Sequence, residues 1–275
     1  MTQKTWTGAS SDGDWSSAAN WDSTAVPGAG DDVRIPPGTG PITAGLDQSG
    51  VALGDVIFEE GHTGAVGSTS AYLQIDPDRF EFAGGGQAFI DLGAAAIPVE
   101  IKKTASAATG ERGLYLKGTG ITTLSVRKGS VGVAAIHQST STVGTIQVSG
   151  AQADVWIGEG CKLTTCNVHA GKCELRQGST TTTVNVYGGT FTSEEAGLLT
   201  TVNVWGGKAT LNSVGTIAAL NCEGGETDMM QSGSTRSVTT LKVNPGARLS
   251  YDPAVVGVTT RSAPDRPVRI QATAP

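Results

Sequence analysis

The sequence predicts an all-β protein: a single-stranded parallel β-solenoid (a β-helix) with a tryptophan-rich N-terminal cap. Three observations predict it. Glycine contributes 39 of 275 residues, about twice its usual share. Charged residues make up only 16% and aromatics 5%, and good helix formers are few. A short alternating segment recurs seven times between about residues 120 and 250. Such self-similarity is the mark of stacked repeats.

Residues 1–50 form the predicted cap. They hold Trp6, Trp15 and Trp21, three of the five tryptophans, in a stretch rich in Gly, Ser, Asp and Pro. A solenoid's open end exposes unpaired strand edges and bare core, and a turn-rich aromatic plug would cover both. The expected role of the three rings is core packing. Asp12, Asp14, Asp31 and Asp32 lack a calcium-loop signature and read as turn formers.

Residues 51–260 form the predicted solenoid. Its first coils, VIFEEG, YLQID, AFIDLG, VEIKK and LYLKG, are less regular. Phe58, Ile75 and Leu92 are evenly spaced in the chain and suggest successive layers. The regular coils align on Val126, Val148, Val168, Val186, Val204, Cys222 and Val243, whose numbers rise in nearly constant steps. Two positions before each anchor the residue is apolar, from Leu124 to Leu241, and the residue between is polar. That period of two describes a strand with one face in the core. Three positions after the anchor comes glycine in every copy but one, Ala151, as a recurrent positive-φ bend requires. Seven positions after it lie Val133, Val155, Leu175, Ser193, Leu211, Met229 and Ser250, the expected second strand. A coil of this length cannot bury its own apolar face, so coils must stack. The spacing is too short for βαβ units. A sandwich or barrel with accidental repetition is the competing reading. Coils without an aliphatic at every sixth position resemble right-handed β-helices. Residues 261–275, with three prolines, read as a tail leaving the stack.

The net charge of −6 and the absence of a Lys/Arg stripe exclude a basic nucleic-acid-binding domain. No apolar run approaches the length of a membrane span. The first residues, MTQKTWTGASSDGDW, contain no apolar h-region, so the expectation is synthesis and retention in a cytosol without a signal peptide. Cys161, Cys166, Cys173 and Cys222 are then expected as thiols, with Cys166 and Cys222 in inward columns as small hydrophobes.

The elements Trp6 to Gly8, Asp14-Trp15, Asn20-Trp21, Val26-Pro27 and Gly30 to Val33 make up a WTG…DW…ANW…VP…GDDV pattern. It resembles the opening of bacterial surface β-helix proteins and of a group of tailed-phage virion proteins. PITAGLDQSG and YLQID resemble the phage group more. The resemblance is best between Met1 and Ile75. It implies a bacteriophage structural protein located in the virion, such as a capsid decoration, cement or head-fibre protein. The implied partners are the major capsid protein or other virion proteins, and the implied state is a homotrimer.

No catalytic residue, metal site or cofactor is expected. His62, His137 and His169 are far apart, and no paired zinc spacing occurs. The polar column between the apolar ones (Ser125, Gln147, Asn167, Asn185, Asn203, Asn221, Lys242) contains no carboxylate, and Glu194 and Glu195 read as a solvated corner. Both facts weigh against a polysaccharide depolymerase, which needs paired carboxyls. Asn167, Asn185, Asn203 and Asn221 are expected to form a structural amide ladder. His169, Tyr187 and Trp205 are expected to stack on an outer face, where they would either bind a host surface glycan, as in a receptor-binding adhesin, or pack against a partner.

Overall fold

The computed structural model describes residues 2–94, 96–105, 111–135, 140–176, 178–194, 198–230 and 235–262, and the backbone of 270–272. Its strands form two stacks that share one core. The first stack runs Gln3–Thr5, Asp32–Ile35, Asp47–Phe58, Leu73–Phe82, Ile97–Ile101, Ile121–Val126, Ser141–Val148, Cys161–Val168, Thr180–Val186, Leu198–Val204, Gly215–Cys222, Arg236–Val243 and Val256–Ser262. The second runs Ala88–Asp91, Leu114–Lys117, Gly129–Val133, Ala153–Ile157, Lys172–Leu175, Thr190–Ser193, Lys208–Leu211, Glu226–Met229, Arg248–Tyr251 and Ile270–Ala272. Among the described residues every strand-to-strand ladder is parallel.

The anchor column is continuous. Ile35, Phe58, Phe82, Ile101, Val126, Val148, Val168, Val186, Val204, Cys222 and Val243 pair in turn, and all are buried. This is a parallel β-solenoid whose anchor column runs through eleven successive layers. The column two residues earlier, from Val33 to Leu241, is equally continuous and buried.

In the regular coils the long strands also bend. In Ser141–Val148 the inward residues are Ser141, Val143, Ile146 and Val148. The interval of three between Val143 and Ile146 breaks the period of two, so the strand turns a corner while its ladder continues above and below. This supplies the third side of the coil. The next corner is tight. Gly189 has φ 66°, and a Cβ built there would lie 2.5 Å from the Gly171 carbonyl oxygen one layer down. Only glycine fits both the angle and the approach.

Some sequence expectations need correction. Ile75 and Leu92 are buried, but the layers above Phe58 in the column are Phe82 and Ile101. In the second stack Val155 pairs with Val131 and Cys173, whereas Val133 pairs with Ile157, which pairs with Leu175. Ser250 pairs with Asp228, and Tyr251 is the buried residue over Met229. The corner after Val148 is two residues longer than its neighbours, and the corner after Val243 is one longer. Each shifts the register by that amount. The stack does not begin at residue 51, because Gln3–Thr5 pairs with Asp32–Ile35 and that strand with Asp47–Phe58. Nor do residues 261–275 simply leave it. Val256–Ser262 extends the first stack and Ile270–Ala272 pairs with Arg248–Tyr251.

The cap is a folded-over plug. Trp6, Trp15 and Trp21 are buried, with ring centroids 4.8 to 6.5 Å apart. The Trp21 indole N–H donates to the Trp15 carbonyl at 2.8 Å and that of Trp6 to the Gly40 carbonyl at 3.2 Å. Buried Asn20 ties the turns, donating to Asp12 at 2.6 Å and to the Asp14 carbonyl at 2.9 Å. Asp12, Asp14 and Asp31 each accept a nearby backbone N–H, as turn formers do, whereas Asp32 opens the strand Asp32–Ile35 and accepts the Asp55 N–H of the next layer, a correction to its expected turn role.

His62 lies fully buried beside the Phe58 ring, with Nδ1 3.1 Å from the Thr39 hydroxyl and Nε2 without a hydrogen-bond partner among the described residues. Burial pushes its pKa below the ordinary 6.5. The unfolded chain therefore binds a proton before the folded one does, and stability falls as pH drops below about 6.5 until the folded value is passed. Thermal melts at pH 7.5 and pH 5 are expected to show a smaller loss for His62→Gln than for the unaltered protein. Equal losses would remove His62 from this account.

Candidate functional site

The outward residues of the regular long strands fall into parallel columns. One is threonine: Thr123, Thr145, Thr165, Thr183 and Thr201, followed by Ala219 and Thr240. The next contains Asn167, Asn185, Asn203 and Asn221. Their amides form the expected ladder. Asn185 donates to Asn167 at 2.8 Å, Asn203 to Asn185 at 2.8 Å and Asn221 to Asn203 at 2.7 Å. All three bonds point the same way, so their dipoles add and each bond polarises the next.

The third column lies just past the anchors. His169, Tyr187 and Trp205 are the first residues after their strands, yet their backbone N–H groups still bond one layer back. His169 donates to the Val148 carbonyl at 2.8 Å, Tyr187 to Val168 at 2.9 Å and Trp205 to Val186 at 2.8 Å. The ladder thereby holds the rings in register. His169 and Tyr187 lie 4.6 Å apart and 5° from parallel, and Tyr187 and Trp205 lie 4.8 Å and 7°. These separations match the spacing of neighbouring strands, about 4.8 Å. Tyr187 is 45% exposed and Trp205 44%, so the rings project from the protein rather than fill it.

The structure therefore brings together all seven side chains that the sequence singled out for this face. Of the histidines, His62 is in the core, His169 is in the ring column, and His137 lies outside the described residues, as does Glu195. The four cysteines are buried and unbridged. Burial pushes the Cys161 thiol up to about 12 and that of Cys222 to about 11. Cys166 and Cys173 lie 3.4 Å apart across the core, and this contact, with burial, raises the Cys173 thiol well above its ordinary value. Among the described residues no three His, Cys, Asp or Glu side chains are placed to hold a metal.

This face also holds carboxylates that sequence spacing does not reveal. The Asn column continues toward the N-terminus as Arg34, Ile57, Glu81 and Glu100, so two acidic groups stand in adjacent layers. Both are tied to cations. Arg79 reaches Glu81 at 2.7 Å and Asp55 at 3.1 Å, Lys102 reaches Glu81 at 2.5 Å and Arg127 reaches Glu100 at 2.7 Å. Burial alone would raise the Glu81 pKa, but Lys102 and Arg79 outweigh it and hold the group below the usual carboxylate value. A general acid needs the opposite shift. A cleft of about 680 Å³ beside them sets Arg34, Lys102, Lys103 and Lys128 against Glu59, Glu60 and Glu81, and each of these carboxylates is paired to a cation.

Comparison of the chain with family models, curated proteins and solved structures returns no match.

Proposed function

We propose that this chain is a non-enzymatic structural protein of a tailed-phage virion, carried on the particle as a capsid decoration or head-fibre protein. The observation that carries the reading is the fate of the N-terminal motif. The tryptophans that give the resemblance are the buried plug of a parallel stack, and Val33 of the same motif begins that stack's inward column. The motif is thus the closing device of a rod, and a rod suits display. Its mechanism is mechanical. Every layer is bonded to its neighbours along the whole length, so bending would strain many ladders at once. The pairing of Glu81 with Lys102 and Arg79 supports the non-enzymatic part.

As the resemblance implies, the protein would assemble as a homotrimer on the major capsid protein or another virion protein. Cryo-EM of purified particles tests this. The expected result is density for the solenoid at a copy number set by capsid geometry, with a solution mass near three times 27.9 kDa for the isolated protein. Particles that lack the chain would overturn the reading.

A further inference from the structure

The outer face of the long strands changes chemistry along the stack. Its first layers are a charged lattice and its last ones pair Lys242 and Asn244 with Glu223. Between Arg127 and Glu223 the threonine, amide and ring columns contain no Asp, Glu, Lys or Arg. The flanking charges are also drawn away from this ribbon, Arg127 back to Glu100 and Glu223 forward to Lys242.

Within the ribbon, hydrogen-bonding capacity is left over. Each ladder amide has two N–H donors and two lone pairs, and the ladder occupies one donor and one acceptor of Asn185 and Asn203. The Tyr187 hydroxyl and the Trp205 indole N–H have no hydrogen-bond partner among the described residues. The stacked rings cover one another's faces and present polar and C–H edges outward.

We propose that this ribbon binds an extended neutral glycan running along the solenoid axis, one sugar residue to a layer. The inference goes beyond a scaffold role and does not depend on where the chain sits in a particle. Charge selects the ligand. A polyanion would need Lys or Arg here and a polycation would need carboxylates. A folded protein partner is held through a broad, well-packed centre, and here Tyr187 and Trp205 are the only exposed large apolar side chains among the described residues of the three columns, set among hydroxyls and amides. A neutral polyhydroxylated chain matches the donors and acceptors. An extended chain of pyranose rings also advances by nearly the strand spacing of about 4.8 Å. The one-way amide ladder, with its free donor end at Asn167 and free acceptor end at Asn221, gives the chain a preferred direction.

The test uses the full-length protein titrated with linear neutral oligosaccharides of increasing length from the β-glucan, mannan, galactan and N-acetylglucosamine series. Heparin serves as the charged control. At least one neutral series is expected to bind, more tightly with each added residue until the ribbon is filled, with little dependence on salt. Trp205→Ala is expected to weaken binding tenfold or more and Asn203→Ala severalfold, with far-UV circular dichroism unchanged. If Trp205→Ala fails to fold, Tyr187→Ala serves in its place. Binding of heparin alone, binding of no series, or binding that survives loss of both rings would overturn the proposal.

Discussion

Trp21→Ala is expected to destabilise the protein by about 3–5 kcal/mol, the range for truncating a buried large aromatic side chain. Three terms act together at this position. The ring is 2% exposed, so nearly all of its apolar area returns to water. It packs edge-on against both Trp6 and Trp15, at 5.2 and 4.8 Å, so two further contacts are lost. Its indole N–H satisfies the Trp15 carbonyl, which would be left buried without that donor. Removing the plug also exposes the first strand edges of the stack, so the variant is expected to aggregate more readily. Chemical denaturation followed by circular dichroism measures the first effect and light scattering the second. A loss below about 1 kcal/mol, well under the range for a buried aromatic, would mean that the cap is dispensable.

Val186→Asp is expected to be worse, and its neighbour gives the contrast. Val186 is fully buried, with Val168 below it and Val204 above. A carboxylate there has no cation to meet and would be protonated or would open the layer, a cost of about 4 kcal/mol or more. Because each coil touches only the coils above and below, a damaged central layer uncouples two halves. Asn185→Asp, one residue earlier, places the same carboxyl on the outer face. It disturbs two ladder bonds of about 0.5–1.5 kcal/mol each. Urea unfolding of the two variants should therefore separate them widely. Similar midpoints would contradict the alternation of inward and outward residues.

That alternation is legible from Ile121 onward because the coils there are of nearly constant length and the apolar columns recur without substitution by charge. The anchors, the amide ladder and the stacked rings all follow from it. The early coils hide their register. The steps from Ile35 to Phe58, Phe82, Ile101 and Val126 are uneven, and corners absorb the difference without leaving a pattern. The charged lattice of Glu81 and Glu100 is hidden for that reason, since a column cannot be followed where its period varies. The offset of Val155 and Ser250 has the same origin in longer corners. The third side of the coil is faint because a bend within a strand costs one residue of phase and looks like irregular alternation. What closes the ends is readable only in part. The tryptophans announce a plug, whereas the return of Ile270–Ala272 to the stack depends on a pairing that its short, proline-flanked sequence does not advertise.

An experimental density map at side-chain resolution tests the central claim most directly. It should place Val186, Val204 and Cys222 on one line through three consecutive layers, about 4.8 Å apart, with Asn185, Asn203 and Asn221 in a parallel line on the opposite side of the same strands. Any of those three inward residues facing solvent, or any two of their strands running antiparallel, would contradict it.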